Sequence, residues 1–476
     1  MGIIILAIIV ILLAVILVRA INFKPKAEPE RTVENISFDE DAAIDALGQL
    51  VRCKTVSEYD PSTEDNEEFS KLLNLLPTLY PSVFETCEYK EFPDRGILFK
   101  WKGQEEGDPA VFMAHYDVVP VEEENWTRPA FDALIEDGVM WGRGTLDTKN
   151  TFNGVLSAGE NLIKQGFVPK HDIYFAFSGG EEVNGPGARN IVAYFKEKGI
   201  TPSMVLDEGG AVVDNIFPGV KESCGLIGIA EKGMMNVRFD YEGNGGHASA
   251  PAPHTPVGRL SAACCRLENH PFKIHFTKPA LEMFDTLGRR STFLYRVIFA
   301  NLWCFGPVLD LICKKSGGEL NALVRTTTAF TMMSGSKAPN VIPPKASMTA
   351  NFRVNPAETI DSALEYVKKT INDDEINVTL LNYLNPSVIS RTDCDGWYRV
   401  RNAVVDTWKG SIAAPYLMVQ CSDSTYYGEI SDRVYRFSAA DMTVDERHSI
   451  HGNDEHIRIS TVKKAVEFFI RVMKEC

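Results

Sequence analysis

The chain has 476 residues, 45% of them hydrophobic and 24% charged, which exceeds one compact core and predicts two or three globular domains. A formal net charge of −15 excludes a nucleic-acid partner, whose phosphates need a basic footprint. Ten cysteines without a CxxC pair exclude a cysteine zinc knuckle, and a chain this long has no need of disulfide staples.

The amino terminus stands apart. Ile3 to Val18 is an uninterrupted run of Ile, Leu, Ala and Val, and no charge precedes Arg19. A cleaved secretory signal, the alternative, normally has a cationic start, a shorter apolar region and a small-residue cleavage site, whereas here the start is only Met1-Gly2 and Val18-Arg19-Ala20 is a poor site. Residues 1–22 therefore read as a single-pass membrane anchor. Arg19, Lys24, Lys26 and Arg31 follow the run, which favours a cytoplasmic body by the positive-inside rule, although an uncleaved anchor can also point outward. Residues 23–40 are charged, contain two prolines and read as a tether.

Helical spacing over Asp39 to Val51 and Asn66 to Leu76 predicts two helices, the second stopped by Pro77. Strand-like runs Ala110–Ala114, Ile173–Phe177 and Ser203–Leu206 then alternate with helical patterns over Asn153–Gln165 and Gly187–Lys198. Such alternation predicts an α/β layered domain with a mostly parallel central sheet. After Glu231 the pattern changes. A strand over Met235–Tyr241, a helix near Val257–Asn269, strands over Leu323–Met332 and Ser347–Val354 and a helix over Thr359–Asn372 predict an inserted α+β domain, residues 232–384. The apolar, aromatic stretch Leu281–Lys314 reads as helical, and as core or subunit interface, with lipid contact as the alternative. Residues 41–231 and 385–476 then form the catalytic domain.

Chemistry gathers just past the three strands. His115-Tyr-Asp117 follows the first, Ser178-Gly-Gly-Glu-Glu182 the second and Asp207-Glu-Gly-Gly210 the third. Open α/β sheets bind ligands at this edge. Gly142-Arg-Gly-Thr-Leu-Asp147 and His451-Gly-Asn-Asp-Glu455 complete the set. Zinc takes about four ligands from His nitrogen and carboxylate oxygen and leaves a position open for catalysis. A pair of zinc ions needs one shared carboxylate, and Asp147 is the candidate. One ion would have Asp147, Glu182 and His451, the other Asp147, His115 and Asp207. Asp117 would orient the His115 ring. Glu181 would carry a proton from water to the departing amine. Taken singly, a His-x-Asp pair, a Glu-Glu pair or a late His is ordinary surface or core chemistry. Their joint order points to a two-metal amide hydrolase.

From about residue 40 to the end, the chain resembles the co-catalytic zinc hydrolases that include aminoacylase, acetylornithine deacetylase, succinyl-diaminopimelate desuccinylase and carboxypeptidase S, with the carboxypeptidase S branch nearest. The resemblance rests on His115–Pro120, Gly142–Lys149, Gly180–Glu182, Asp207–Gly210, Gly246-His-Ala-Ser249 and Asn340-Val-Ile-Pro343. It implies two zinc ions per chain and a lid that also serves for homodimerisation. It adds His247 as an oxyanion-stabilising residue, often supplied across a dimer interface. It also adds Asn340 and Arg353 as substrate contacts. One departure is Cys421-Ser-Asp-Ser-Thr-Tyr426, where Thr425 stands in place of the arginine common in relatives. The expected reaction is carboxypeptidase-like release of a C-terminal amino acid from short peptides. The alternatives are an N-acyl-amino-acid deacylase and, from another class, an inactive membrane-anchored binding protein.

Overall fold

The computed structural model describes residues 1–26 and 31–476. The expected tether therefore lies partly outside the described residues. An eight-stranded sheet forms the body, in the spatial order 88–92, 96–101, 173–178, 110–115, 204–213, 434–442, 224–231 and 412–418. Strand Ala110–His115 pairs in parallel with both Ile173–Ser178 and Met204–Val213, and the latter pairs in parallel with Val434–Met442. Antiparallel strands stand at the 88–101 edge. The sheet is thus mixed but parallel at its centre, where the connections run through helices.

Period-two alternation divides the central strands between two cores. Phe112, Ala114, Phe175 and Phe177 pack against helices Lys149–Lys164 and Ile459–Lys474, while Val111, Met113, Tyr174 and Ala176 pack against Gly187–Lys198. Because both faces are covered, these strands carry nearly unbroken apolar runs. Asp39 accepts the N–H of Ala42 and caps helix Glu40–Val51. Pro77 does not stop the next helix, which continues to Leu79. A proline in the last turn removes one donor and leaves the buried stripe Phe69, Leu72 and Leu76 undisturbed.

A separate four-stranded antiparallel sheet, in the order 327–334, 345–354, 233–242 and 377–384, packs against helices Pro256–Asn269 and Ile360–Ile371. The segment between these elements is helical, as expected over Leu281–Lys314, and departs from the sequence reading only after it. Leu281–Lys314 is three helices, Lys278–Gly288, Phe293–Phe299 and Leu302–Ser316, broken at the polar stretch Arg289–Thr292 and again at Asn301. Their buried residues, including Met283, Phe284, Phe299 and Leu309, join Leu226, Ala414 and Leu417 of the large sheet. Residues 318–324, in part expected to be strand, form a further short helix. The N-terminal helix Gly2–Asn22 is long and apolar enough to cross a membrane and is almost wholly exposed.

Candidate metal centre

The centre is assembled at the carboxyl edge of the parallel strands. His115 ends its strand, and beside it the chain turns at Ser178-Gly179-Gly180 into the short turn Glu181–Val183. Gly179 is required there, because a Cβ would sit 2.6 Å from the Tyr116 ring. Asp117 ties these two segments together. Its carboxylate accepts the N–H groups of Glu181 and Glu182, each at 3.2 Å, and the Ser57 hydroxyl at 2.7 Å. It also lies 3.3 Å from His115 Nδ1.

Asp147 lies between the two imidazoles. His115 Nε2 is 3.1 Å from one of its oxygens and His451 Nε2 is 3.0 Å from the other. His451 Nε2 is also 3.2 Å from Glu182. A residue that the sequence reading did not single out holds the Asp147 turn in place. The fully buried Glu455 carboxylate accepts the N–H groups of Gly144, Leu146 and Asp147 at 3.0, 2.7 and 3.2 Å, and Arg143 Nη1 at 2.6 Å. The signal was in the sequence, four residues after His451, but nothing local marks a glutamate as a clamp.

At Asp207 the strand presents a second, neighbouring acid. The carboxylate facing His115 belongs to its neighbour Glu208, with Oε1 at 3.4 Å from Nε2. Asp207 instead accepts the N–H of Ser424 at 3.0 Å, beneath the loop Cys421–Tyr426. The cause is strand length. The strand runs on to Val213 rather than ending at Leu206, so alternation sends residues 207 and 208 to opposite sides. At Gly210 a Cβ would meet the Leu226 carbonyl oxygen at 1.8 Å, so the Gly-Gly pair serves close strand packing.

The electrostatics follow from crowding acids in a buried place. Burial pushes the Glu181 carboxyl well above its usual range and Glu208 up to about 8, with Asp147 adding repulsion to the latter. Asp423, buried and bonded to the Ser178 hydroxyl, rises to about 7 by burial. Burial opposes ionisation of Asp147 too, but hydrogen bonds from His115 and His451 hold it well below the carboxylate range. His451 rises to about 10 through its bonds to Asp147 and Glu182. Despite burial, His115 is also raised, by Glu208, Asp117 and Asp147. The acids thus draw positive charge onto both rings.

Divalent cations fit this donor set. His115, Asp147 and Glu182 bring ligand atoms within 4.8 Å of one another, as do His115, Glu181 and Glu208. Glu182 Oε1 is buried and, among the described residues, has no hydrogen-bond partner, an orphan that a cation would satisfy. Mixed imidazole and carboxylate donors suit zinc.

The remaining expected residues lie on the insertion. His247 is exposed on the short strand Gly246–His247, which pairs with Val341–Ile342, and its Nδ1 is 2.7 Å from the Ser249 hydroxyl. Ala248 donates its N–H to the Asn340 carbonyl, so His247 and Asn340 are neighbours. Among the described residues, the hydrogen bonds of the His247 ring stay within this loop and do not reach the metal centre. Arg353 reaches the catalytic body, with Nη1 3.5 Å from Cys421 Sγ. The loop it touches is built on the buried pair Glu231–Arg436, whose glutamate accepts the hydroxyls of Ser422 and Ser424.

Comparison with known proteins bears on the family and the fold. The model for "Peptidase family M20/M25/M40" matches residues 111–475. An N-fatty-acyl-amino acid synthase/hydrolase PM20D1 from Xenopus tropicalis is 32% identical, covering 98% of this chain and 93% of that protein. A probable carboxypeptidase S-like 2 from Dictyostelium discoideum is 31% identical, covering 98% and 92%. Among solved structures, an M20 family metallo-carboxypeptidase, Sso-CP2, from Sulfolobus solfataricus shares the fold with a TM-score of 0.66 at 16% identity, covering 91% of this chain and 98% of that one. With a family match over most of its length and a candidate metal-binding group at the sheet edge, the chain belongs to the M20/M25/M40 family of metal-dependent peptidases and amide hydrolases.

Proposed function

We propose that the chain uses two zinc ions to cleave an amide bond whose leaving amine belongs to an amino acid with a free carboxylate. The observation that carries this reading is Asp147 standing between His115 and His451, with Glu182 beside one ring and Glu208 beside the other. His115, Asp147 and Glu208 would hold one ion, and Asp147, Glu182 and His451 the other. When bound, the pair polarises the scissile carbonyl and acidifies water. Asp117 orients His115 through Nδ1 and fixes the backbone of both glutamates. Glu181 takes the proton of the attacking water and returns it to the departing nitrogen, a role worth about 10²–10⁴-fold in rate. Arg353 and Asn340 receive the substrate carboxylate, since a guanidinium offers two parallel donors to it.

Carboxypeptidase action on short peptides is the first reading. N-acyl-amino-acid hydrolysis is the second, favoured by the relative named for that activity at 32% identity. Both release the same kind of amine. A panel of blocked and unblocked dipeptides and N-acyl amino acids of rising chain length separates them. Turnover of blocked dipeptides alone supports the first, turnover of N-acyl amino acids alone the second, and turnover of neither rejects the proposal. The helix Gly2–Asn22 anchors the protein in a membrane in this reading. The exposed His247 supports a homodimer in which it acts on the partner's centre.

A further inference from the structure

The root of the N-terminal helix is fastened to the body. Arg19 donates through Nε and Nη2 to the Ala300 carbonyl, at 3.0 and 2.9 Å, and the buried Asn301 side chain donates to the Ile16 carbonyl at 3.1 Å. Ala300 and Asn301 form the bend, of 103°, between helices Phe293–Phe299 and Leu302–Ser316. This bent pair is apolar on its outer side. Leu294 and Leu311 are 70% and 67% exposed, and Phe293, Trp303, Val308 and Ile312 are exposed with them. On the second helix, Trp303, Pro307, Val308, Leu311 and Ile312 recur at helical spacing, opposite the buried Gly306, Leu309 and Cys313. Lys314, paired with Asp310 at 2.8 Å, and Lys315 lie in the last turn of the helix.

Apolar stripe and aromatic side chain occur together where an apolar helix leaves the body. A bilayer crossed by that helix begins where the run ends at Arg19, and Arg19 is bonded to the bend, which sets the depth of the stripe.

We propose that the bent helix pair lies in the interface of the membrane crossed by the N-terminal helix. Interfacial helices bind through buried apolar area, and the pair offers it. The catalytic body would then sit on the bilayer in one orientation rather than swing on a tether. This inference rests on the anchor reading of Gly2–Asn22, and the test separates the two.

The full-length chain is placed in nanodiscs of phosphatidylcholine and phosphatidylserine, with plain or brominated acyl chains. Retention of the chain in liposomes of the same lipids through an alkaline wash reports the anchor. Quenching of Trp303, one tryptophan among six, reports the bent pair. The expected result is retention, brominated-lipid quenching in the wild type, and a smaller quenched fraction in Trp303→Phe, with dipeptide turnover unchanged. Release by the wash rejects the anchor and the inference with it. Retention with equal quenching in the two proteins rejects the bent-pair contact alone. Leu311→Cys copies that cross-link to one another in that case would assign the stripe to a second chain.

Discussion

Replacing Glu455 by alanine probes the least obvious part of the centre. The carboxylate is fully buried, pairs with Arg143 and accepts three backbone N–H groups from the turn that presents Asp147. Removing one member of a buried ion pair costs about 3–5 kcal/mol, because the other charge is left without compensation. Each buried N–H that loses its acceptor costs about 1–3 kcal/mol more, unless water fills the hole. The four donors share one acceptor, so these terms overlap rather than add. Arg143 keeps one bond, to the Gly452 carbonyl at 2.8 Å, which softens the loss. A destabilisation of about 4 kcal/mol is expected for Glu455→Ala on these magnitudes. The assay is urea unfolding followed by circular dichroism in the presence of chelator, so that lost metal binding is not counted as lost folding. Metal affinity, measured separately, should fall about 10–100-fold, as is usual when a group that positions a ligand is removed. Glu455→Gln keeps the shape and one acceptor and should lie between the two. If Glu455→Ala unfolds within about 1 kcal/mol of the wild type and binds metal equally well, the clamp has been assigned a role it does not have.

Further outcomes follow from the same geometry. Glu181→Gln should keep its metal content and lose about 10²-fold or more in kcat, and a normal rate would remove Glu181 from the proton path. Glu208→Ala should lower the metal content of the purified protein toward one per chain. Asp207→Asn should leave the metal content unchanged and loosen the Cys421–Tyr426 loop, and the reverse pattern would restore Asp207 as ligand. Mixing His247→Ala with His115→Ala chains should recover part of the activity if His247 serves a partner's centre, whereas no recovery at any ratio would confine it to its own chain.

The fold was legible where the sequence states both type and period. Apolar runs covered on both faces, such as Phe112 and Phe175 with their neighbours, marked the parallel strands and hence the edge at which His115, Asp147, Glu182 and His451 meet. What stayed hidden depends on register or on distant partners. Asp207-Glu-Gly-Gly210 reads as a turn, yet the strand continues through it, and a shift of one residue exchanges the two faces. Leu281–Lys314 reads as helical, but that its pieces meet the large sheet and the N-terminal helix is not written in its own residues. Glu455 is a single acid among 64 until its donors, more than 300 residues away, are seen around it.

The most direct measurement is anomalous diffraction at the zinc edge from crystals grown with zinc. The account predicts two peaks flanking the Asp147 carboxylate, one beside His115 and Glu208 and the other beside His451 and Glu182, each at about 2.0–2.2 Å from its ligand atoms. A single peak, or a pair that leaves Asp147 outside coordination distance, would contradict it.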